Sequence, residues 1–170
     1  MAKAKAVKPP VIDVVVMTPG WRRALPTAPA LCRRAARAAL TAIASKKPRG
    51  TIAIALADDD ALRELNHQFR GQNKPTNVLS FPADEPDQLG DIALALQTLK
   101  REATEQGKTL RAHLIHLVVH GTLHLLGHDH ERPGQAKRME DLERKVLAGL
   151  GLPDPYVLPM LPKNRNKTAA

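Results

Sequence analysis

One helix constrains the fold more than any other segment of the sequence. Residues 110–127 read LRAHLIHLVVHGTLHLLG, which places apolar side chains around most of the circumference of a helix. A helix that is apolar on nearly all sides has to be buried, so the rest of the chain must pack around it. Gly127 can adopt the left-handed conformation that ends a helix, and it stands where the apolar run stops.

Histidines within and just after this helix have the spacing of metal ligands. His120 and His124 are four residues apart, so their side chains leave one helix face about 5–6 Å from each other. After the turn at Gly127 the chain can bring back a third ring from His128 or His130, and the spacing shared with metzincin proteases favours His130. We therefore predict a metal site formed by His120, His124 and His130. Three protein ligands leave a fourth position for water, which is typical of catalytic zinc.

The polar residues around these ligands are expected to have other roles. His116 lies one turn earlier on the ligand face and His113 lies off that face. Both are predicted to be core or surface residues rather than ligands. His128 is expected to line the pocket. Asp129 or Glu131 could orient a ligand histidine through a hydrogen bond, or could be a solvated cap.

Gly121 follows the first histidine, at the position where HExxH zinc proteases have the glutamate that acts as general base. Without that carboxylate the usual Glu-assisted hydrolysis of a peptide is not supported. A zinc-bound water can still ionise at about pH 7, and such a hydroxide suits a phosphodiester whose charge is balanced by other groups.

The charge balance favours a polyanionic partner. Lys and Arg number 26 against 17 Asp and Glu, a formal charge of +9. This excess is typical of proteins that bind nucleic acid or an anionic membrane surface, and solubility alone is the other interpretation. Aromatic side chains make up only 2% of the chain, so few platforms for base stacking are available. RNA would therefore be bound mainly through its phosphates, with weak sequence preference.

The sequence carries no signal for export or for membrane insertion. Cys32 is the sole cysteine, so no internal disulfide can form. The apolar stretch 11–17 is too short for a signal peptide and is interrupted by Asp13. No stretch approaches the roughly 18 apolar residues of a membrane span. We expect a cytoplasmic protein that has no membrane partner.

Strands and helices follow one another in mixed order, which predicts an α/β or α+β fold around one mixed sheet. The short β-branched or alternating segments predict strands at 11–17, 51–57, 77–81 and 90–96. Helical patterns are found at about 27–45, 58–69, 97–106, 110–127 and 135–150. The predicted organisation is a loose basic start at 1–10, a single domain at 11–158 and a basic, disordered tail at 159–170.

A second distinctive segment is FRGQNKPTNVLSFP, residues 69–82. Arg70 and Lys74 flank a glycine-containing loop, and Asn77 and Ser80 can donate hydrogen bonds. A guanidinium can bind a phosphate through two hydrogen bonds and can stabilise the charge that grows on a phosphoryl group. An exposed turn with solvated charges is the alternative interpretation.

Three segments resemble the YbeY family of bacterial metal-dependent endoribonucleases: HGTLHLLGHDHE at 120–131, FRGQNKPTNVLSFP at 69–82 and LGDIAL at 89–94. The resemblance spans about residues 51–150. It implies an α+β fold in which a mixed four-stranded sheet is surrounded by helices and the buried central helix carries the metal motif. It also implies one zinc ion per chain, bound by His120, His124 and His130, with Arg70 facing it across a cleft as a catalytic residue.

The resemblance further implies a function: single-strand-specific cleavage of RNA in ribosomal RNA maturation, particularly of the small-subunit RNA, and in ribosome quality control. The ribosome or ribosomal proteins are the implied partners. Two positions vary locally, because in the family the position of His128 is often tyrosine and that of Asn77 is often aspartate. Neither variation removes a predicted ligand.

Two other functions are open at this point. A metallopeptidase is disfavoured by Gly121 and by the basic charge. In a non-catalytic ribosome assembly factor zinc would only stabilise the fold, and a closed fourth coordination position would support that reading. Whether the protein is a nuclease or an assembly factor, three cations of the tail are predicted to increase its affinity for RNA through the release of counterions. These cations are Lys163, Arg165 and Lys167.

Overall fold

The computed structural model describes residues 8–43 and 48–157. Four strands and six helices lie within these ranges. In chain order they are β1 (Val11–Val16), α1 (Gly20–Ala24), α2 (Ala28–Ala42), β2 (Thr51–Ala57), α3 (Asp59–Arg70), β3 (Val78–Pro82), β4 (Gln88–Ala95), α4 (Leu96–Glu105), α5 (Leu110–Leu125) and α6 (Pro133–Gly149). Most of the two predicted basic ends, including Lys163, Arg165 and Lys167, lies outside the described residues.

The strands form one mixed sheet in the order β1-β2-β4-β3. β1 and β4 both run parallel to β2, whereas β3 runs antiparallel to β4. The predicted α+β class with a mixed four-stranded sheet is therefore confirmed. The strand predicted at 77–81 lies at 78–82, and Pro82 can be its last residue because an edge strand tolerates a residue that has no N–H to donate.

The long apolar helix lies in the core, as the sequence predicts. Ten of the 16 residues of α5 are buried. The helix packs with α2, α6 and one face of the sheet in the larger hydrophobic cluster, while α3 covers a smaller cluster on the other face. Each large aliphatic side chain buried here contributes about 1.5–3 kcal/mol. No helix in residues 8–43 and 48–157 is both long and apolar enough to cross a membrane.

The structure shows which aspartate caps α3, and it contains one helix that the sequence analysis did not predict. Asp58 caps α3 by accepting a hydrogen bond from the Ala61 N–H at 2.9 Å. Asp59 instead accepts two hydrogen bonds from Thr98 and ties α3 to α4. The short helix α1 was not among the predicted elements, because a proline precedes it and the segment is only five residues long. Pro19 occupies the N-cap, where the missing N–H costs nothing.

Candidate metal centre

Three histidine rings meet where α5 ends. His120 and His124 lie in the last turns of α5, and His130 lies in the loop before α6. One nitrogen from each ring can be chosen so that all three atoms lie within 4.8 Å of one another. The two Nε2 atoms of His120 and His124 are 3.1 Å apart. Two nitrogens bound to one tetrahedral zinc would be separated by about 3.3 Å. This donor set fits a metal ion.

The turn after α5 brings the third ring back to the first two. Gly127 has φ +90, a left-handed backbone conformation that would be strained for a residue with a side chain. The N–H groups of Gly127 and His128 donate to the carbonyls of His124 and Leu123, each at 3.0 Å, which closes the helix end. The reversed chain places the His130 ring centroid 5.0 Å from that of His124.

A buried carboxylate on α6 orients the first histidine. Glu143 is 0% exposed, and its Oε1 accepts a hydrogen bond from Nδ1 of His120 at 2.5 Å. Its Oε2 accepts from Nε2 of His116 at 2.8 Å and from the hydroxyl of Tyr156. Because Nδ1 of His120 carries the donated proton, its Nε2 has a free lone pair directed toward Nε2 of His124, 3.1 Å away.

The sequence did not reveal Glu143 and pointed instead to Asp129 or Glu131. Asp129 accepts from the backbone N–H of His130, but its carboxylate is 4.0 Å from Nδ1 of that ring, and Glu131 is exposed. Glu143 is 23 residues from His120 in the chain, and only the packing of α6 against α5 joins them. The available signal was a glutamate on the buried stripe of α6, between Met139 and Val146.

The electrostatics of this cluster favour metal binding. Burial raises the pKa of the Glu143 carboxyl, but hydrogen bonds from His116, His120 and Tyr156 outweigh this effect and bring the pKa down to about 2. Burial, followed by the nearby His120 and His130, lowers the pKa of His124 to about 4. The ring of His124 is therefore neutral at physiological pH, which is the form that binds a metal.

Arg70 shares a cleft of about 640 Å³ with the three histidines. It is the last residue of α3, where Gly71 ends the helix in a left-handed conformation, and it is exposed. Asn77, Ser80 and His128 also line this cleft. Residues from the segments 69–82 and 120–131 therefore line one cleft.

Gly121 allows α5 to lie against the sheet below this cleft. A Cβ at this position would come within 3.0 Å of Oγ of Ser80 and 3.2 Å of two carbons of Ile92. A longer side chain would require the helix and the sheet to separate. Position 121, where HExxH proteases have the catalytic glutamate, is thus packed against β3 and β4 in this chain. This packing is consistent with the expectation that Glu-assisted peptide hydrolysis is not supported.

A second carboxylate–histidine network lies one to two turns earlier on α5. Glu102 contacts Nε2 of His113 at 2.7 Å and accepts a hydrogen bond from the side-chain amide of Asn77 at 3.0 Å. Asn77 in turn accepts from the Val78 N–H at 2.7 Å. An aspartate at position 77 would put a second carboxylate against Glu102. His113 pairs with Glu102 and His116 with Glu143, and neither belongs to the cluster of three histidines at the end of α5.

The comparison with known proteins gives the family. A sequence profile described as Endoribonuclease YbeY matches residues 25–151. A protein from Azorhizobium caulinodans named Endoribonuclease YbeY is 50% identical over 155 residues, covering 87% of this chain and 97% of its own length. One of the same name from Rhodopseudomonas palustris is 47% identical over 160 residues, covering 86% of this chain and 82% of its own length.

A solved structure agrees with this assignment. The solution structure of TM1509 from Thermotoga maritima matches with a TM-score of 0.53 and 27% sequence identity, covering 83% of this chain and 92% of that one. The fold, the histidine cluster and the sequence matches lead to one class, an α+β protein of the YbeY type with three histidines that could bind a metal. The chain belongs to the YbeY family.

Proposed function

We propose that the protein is a zinc-dependent endoribonuclease that cleaves single-stranded RNA during maturation of ribosomal RNA, particularly of the small subunit, and in ribosome quality control. The observation that carries this proposal is one cleft lined both by three histidines that could bind a metal and by Arg70. The names of the relatives support RNA as the substrate. Action on ribosomal RNA makes the ribosome the expected partner and the cytoplasm the expected location.

One zinc ion per chain is bound by His120, His124 and His130. Neutral imidazole nitrogens suit zinc, and three protein ligands define a catalytic rather than a structural site. When bound, zinc supplies a Lewis acid and a water that ionises at about pH 7. Glu143 keeps the His120 ring in the tautomer that ligates through Nε2.

Arg70 has the role of stabilising charge on the substrate. Its guanidinium lies in the same cleft as the ligands, so it can donate two hydrogen bonds to the non-bridging oxygens of the phosphodiester that is cut. Such donors act mainly in the transition state, when the charge on those oxygens increases. No basic carboxylate is needed beside His120, and the packing at Gly121 leaves no room for one.

The chemical route has two forms with different products. Attack by the 2′-hydroxyl of the preceding ribose leaves a 2′,3′-cyclic phosphate, whereas attack by water leaves a linear phosphate. Both forms use the same ligands and the same arginine. Mass spectrometry of the RNA ends therefore separates them without any change to the protein.

The test is cleavage of single-stranded and duplex RNA by repurified protein, after chelation and after zinc is restored. We expect single strands to be cut only with metal. His120→Ala protein, purified in parallel, controls for contaminating ribonuclease. Equal cleavage by this variant, or full cleavage after chelation, would contradict the proposal. Zinc binding without any cleavage of RNA would favour the non-catalytic assembly factor instead.

A further inference from the structure

A second basic surface lies away from the metal centre, between α2 and α6. A groove of about 690 Å³ separates the two helices. Three arginines of α2 and one lysine of α6 line it: Arg33, Arg34, Arg37 and Lys145. A narrow crevice beside it is lined by Arg34 and by Arg111 from the first turn of α5. We call the two together the α2–α6 groove.

The positive charge of the α2–α6 groove is not neutralised by its surroundings. All five cations are exposed, and no acidic side chain lines the groove or the crevice within the described residues. None of the five forms an ion pair with any other residue that the structure describes. On the outer side of α6, by contrast, Lys137 and Arg144 are paired with acidic neighbours at 2.8–3.6 Å. Unpaired cations gathered on one concave surface attract a polyanion.

The shape of the groove suits a phosphate backbone better than a base. Small residues such as Ala30, Ala38 and Gly149 form much of its lining, which lets a chain approach the helices closely. No aromatic side chain lines it, so bases have nothing to stack on. Arginine forks at its rim can each bind a phosphate through two hydrogen bonds.

We propose that the α2–α6 groove binds the phosphate backbone of the RNA substrate at a distance from the cleavage position. This inference rests on the proposed nuclease function for the identity of the polyanion. Arg111 and His124 lie thirteen residues apart on α5, which corresponds to about 20 Å along the helix. At 3.4 Å per nucleotide of a stacked strand, this distance spans about six nucleotides. Only an RNA that extends at least about this far from the cut site reaches the groove.

The experiment measures binding of metal-free protein to fluorescent single-stranded RNAs of about four and about 20 nucleotides over a range of salt. The groove variant combines Arg34→Gln, Arg37→Gln and Lys145→Gln. The control variant removes the same charge from exposed cations elsewhere, with Arg22→Gln, Arg23→Gln and Lys100→Gln. Using metal-free protein keeps binding separate from cleavage.

We expect the groove variant to bind the long RNA about tenfold or more weakly at low salt, and its log–log salt slope to fall by up to about two units. Its loss of affinity for the short RNA should be smaller, because that RNA offers fewer phosphates, and the control variant should change little. An equal loss in the control variant, or an unchanged slope in the groove variant, would overturn the proposal. An acidic protein as the occupant of the groove would give that second result.

A single substitution gives the same test without removing any side chain. Ala30→Glu places a carboxylate in the groove, in the first turn of α2, where the helix dipole favours an acid and stability should not fall. We expect weaker binding of the long RNA than for Ala30→Gln. Normal binding by folded Ala30→Glu protein would count against the groove. Wild-type protein that binds through the groove but cleaves nothing would contradict the nuclease function and leave the groove assignment standing.

Discussion

The candidate metal centre and the α2–α6 groove differ in how their polar groups are paired. At the metal centre a buried glutamate fixes the His120 ring, and the polar contacts there are 2.5–3.1 Å long. In the α2–α6 groove the cations are exposed and have no acidic neighbours in the described lining. The function of the metal centre therefore depends on the exact positions of a few side chains. The function of the groove depends on the summed positive charge of its cations. Changes at the centre should be large and insensitive to salt, and changes in the groove smaller and salt-dependent.

The largest effect is expected from removing a metal ligand. His120→Ala, His124→Ala and His130→Ala should each weaken zinc binding by more than about a hundredfold, since each removes a direct bond. His128→Ala should retain the metal and is the matched control. Elemental analysis after dialysis measures the metal content. Loss of zinc from His128→Ala with retention by His130→Ala would show that the ligand assignment is wrong.

Arg70→Ala should keep the fold and the zinc but reduce the rate of RNA cleavage by about a hundredfold or more, because one donor to the phosphoryl oxygens is lost. Lys74→Ala, an exposed cation in the loop that follows, is the control for loss of charge alone. Single-turnover cleavage at two salt concentrations makes the comparison. If the cleavage defect of Arg70→Ala disappears as the salt concentration is lowered, Arg70 contributes only general charge, as the groove cations do, and does not act at the metal centre.

Glu143→Gln should weaken zinc binding by about 10–100-fold, because the amide no longer holds the proton on Nδ1 of His120 as firmly. Glu140→Gln, one turn earlier on α6, changes the same charge without touching a histidine of the site and is the control. Competition with a chromophoric chelator gives the affinity of each variant. Identical zinc affinities in wild type and Glu143→Gln would show that Glu143 contributes to packing but not to metal binding.

The smallest effect is expected from the tail. Neutralising Lys163, Arg165 and Lys167 should lower RNA affinity similarly for all sequences and make the salt slope shallower by up to about two units, with metal-dependent cleavage nearly unchanged. A variant that combines the tail changes with the groove changes tests whether the two surfaces bind RNA independently. If they do, their reductions of the log–log salt slope should add. A salt slope that the tail changes leave intact would show that the tail does not contact RNA.

Local patterns predicted most of the elements, since alternation and periodicity determine which faces can be buried. The strand at 51–57 and the buried helix that begins at Leu110 were placed almost at their observed bounds. The three histidines could be grouped because one helical turn and one glycine relate them. The pairing of Glu143 with His120 and the position of Lys145 in one groove with the arginines of α2 could not be predicted, because both arise only when α6 packs against the other helices.

The hydrogen bonds of Glu143 with His120 and Tyr156 imply an order in which the candidate metal site is completed during translation. The three histidines leave the ribosome first, followed by Glu143 and later by Tyr156. Until α6 and the segment after it have emerged, nothing in this network holds the His120 ring in its ligating tautomer. A nascent chain would therefore carry an unfinished nuclease past the RNA of the ribosome that is making it.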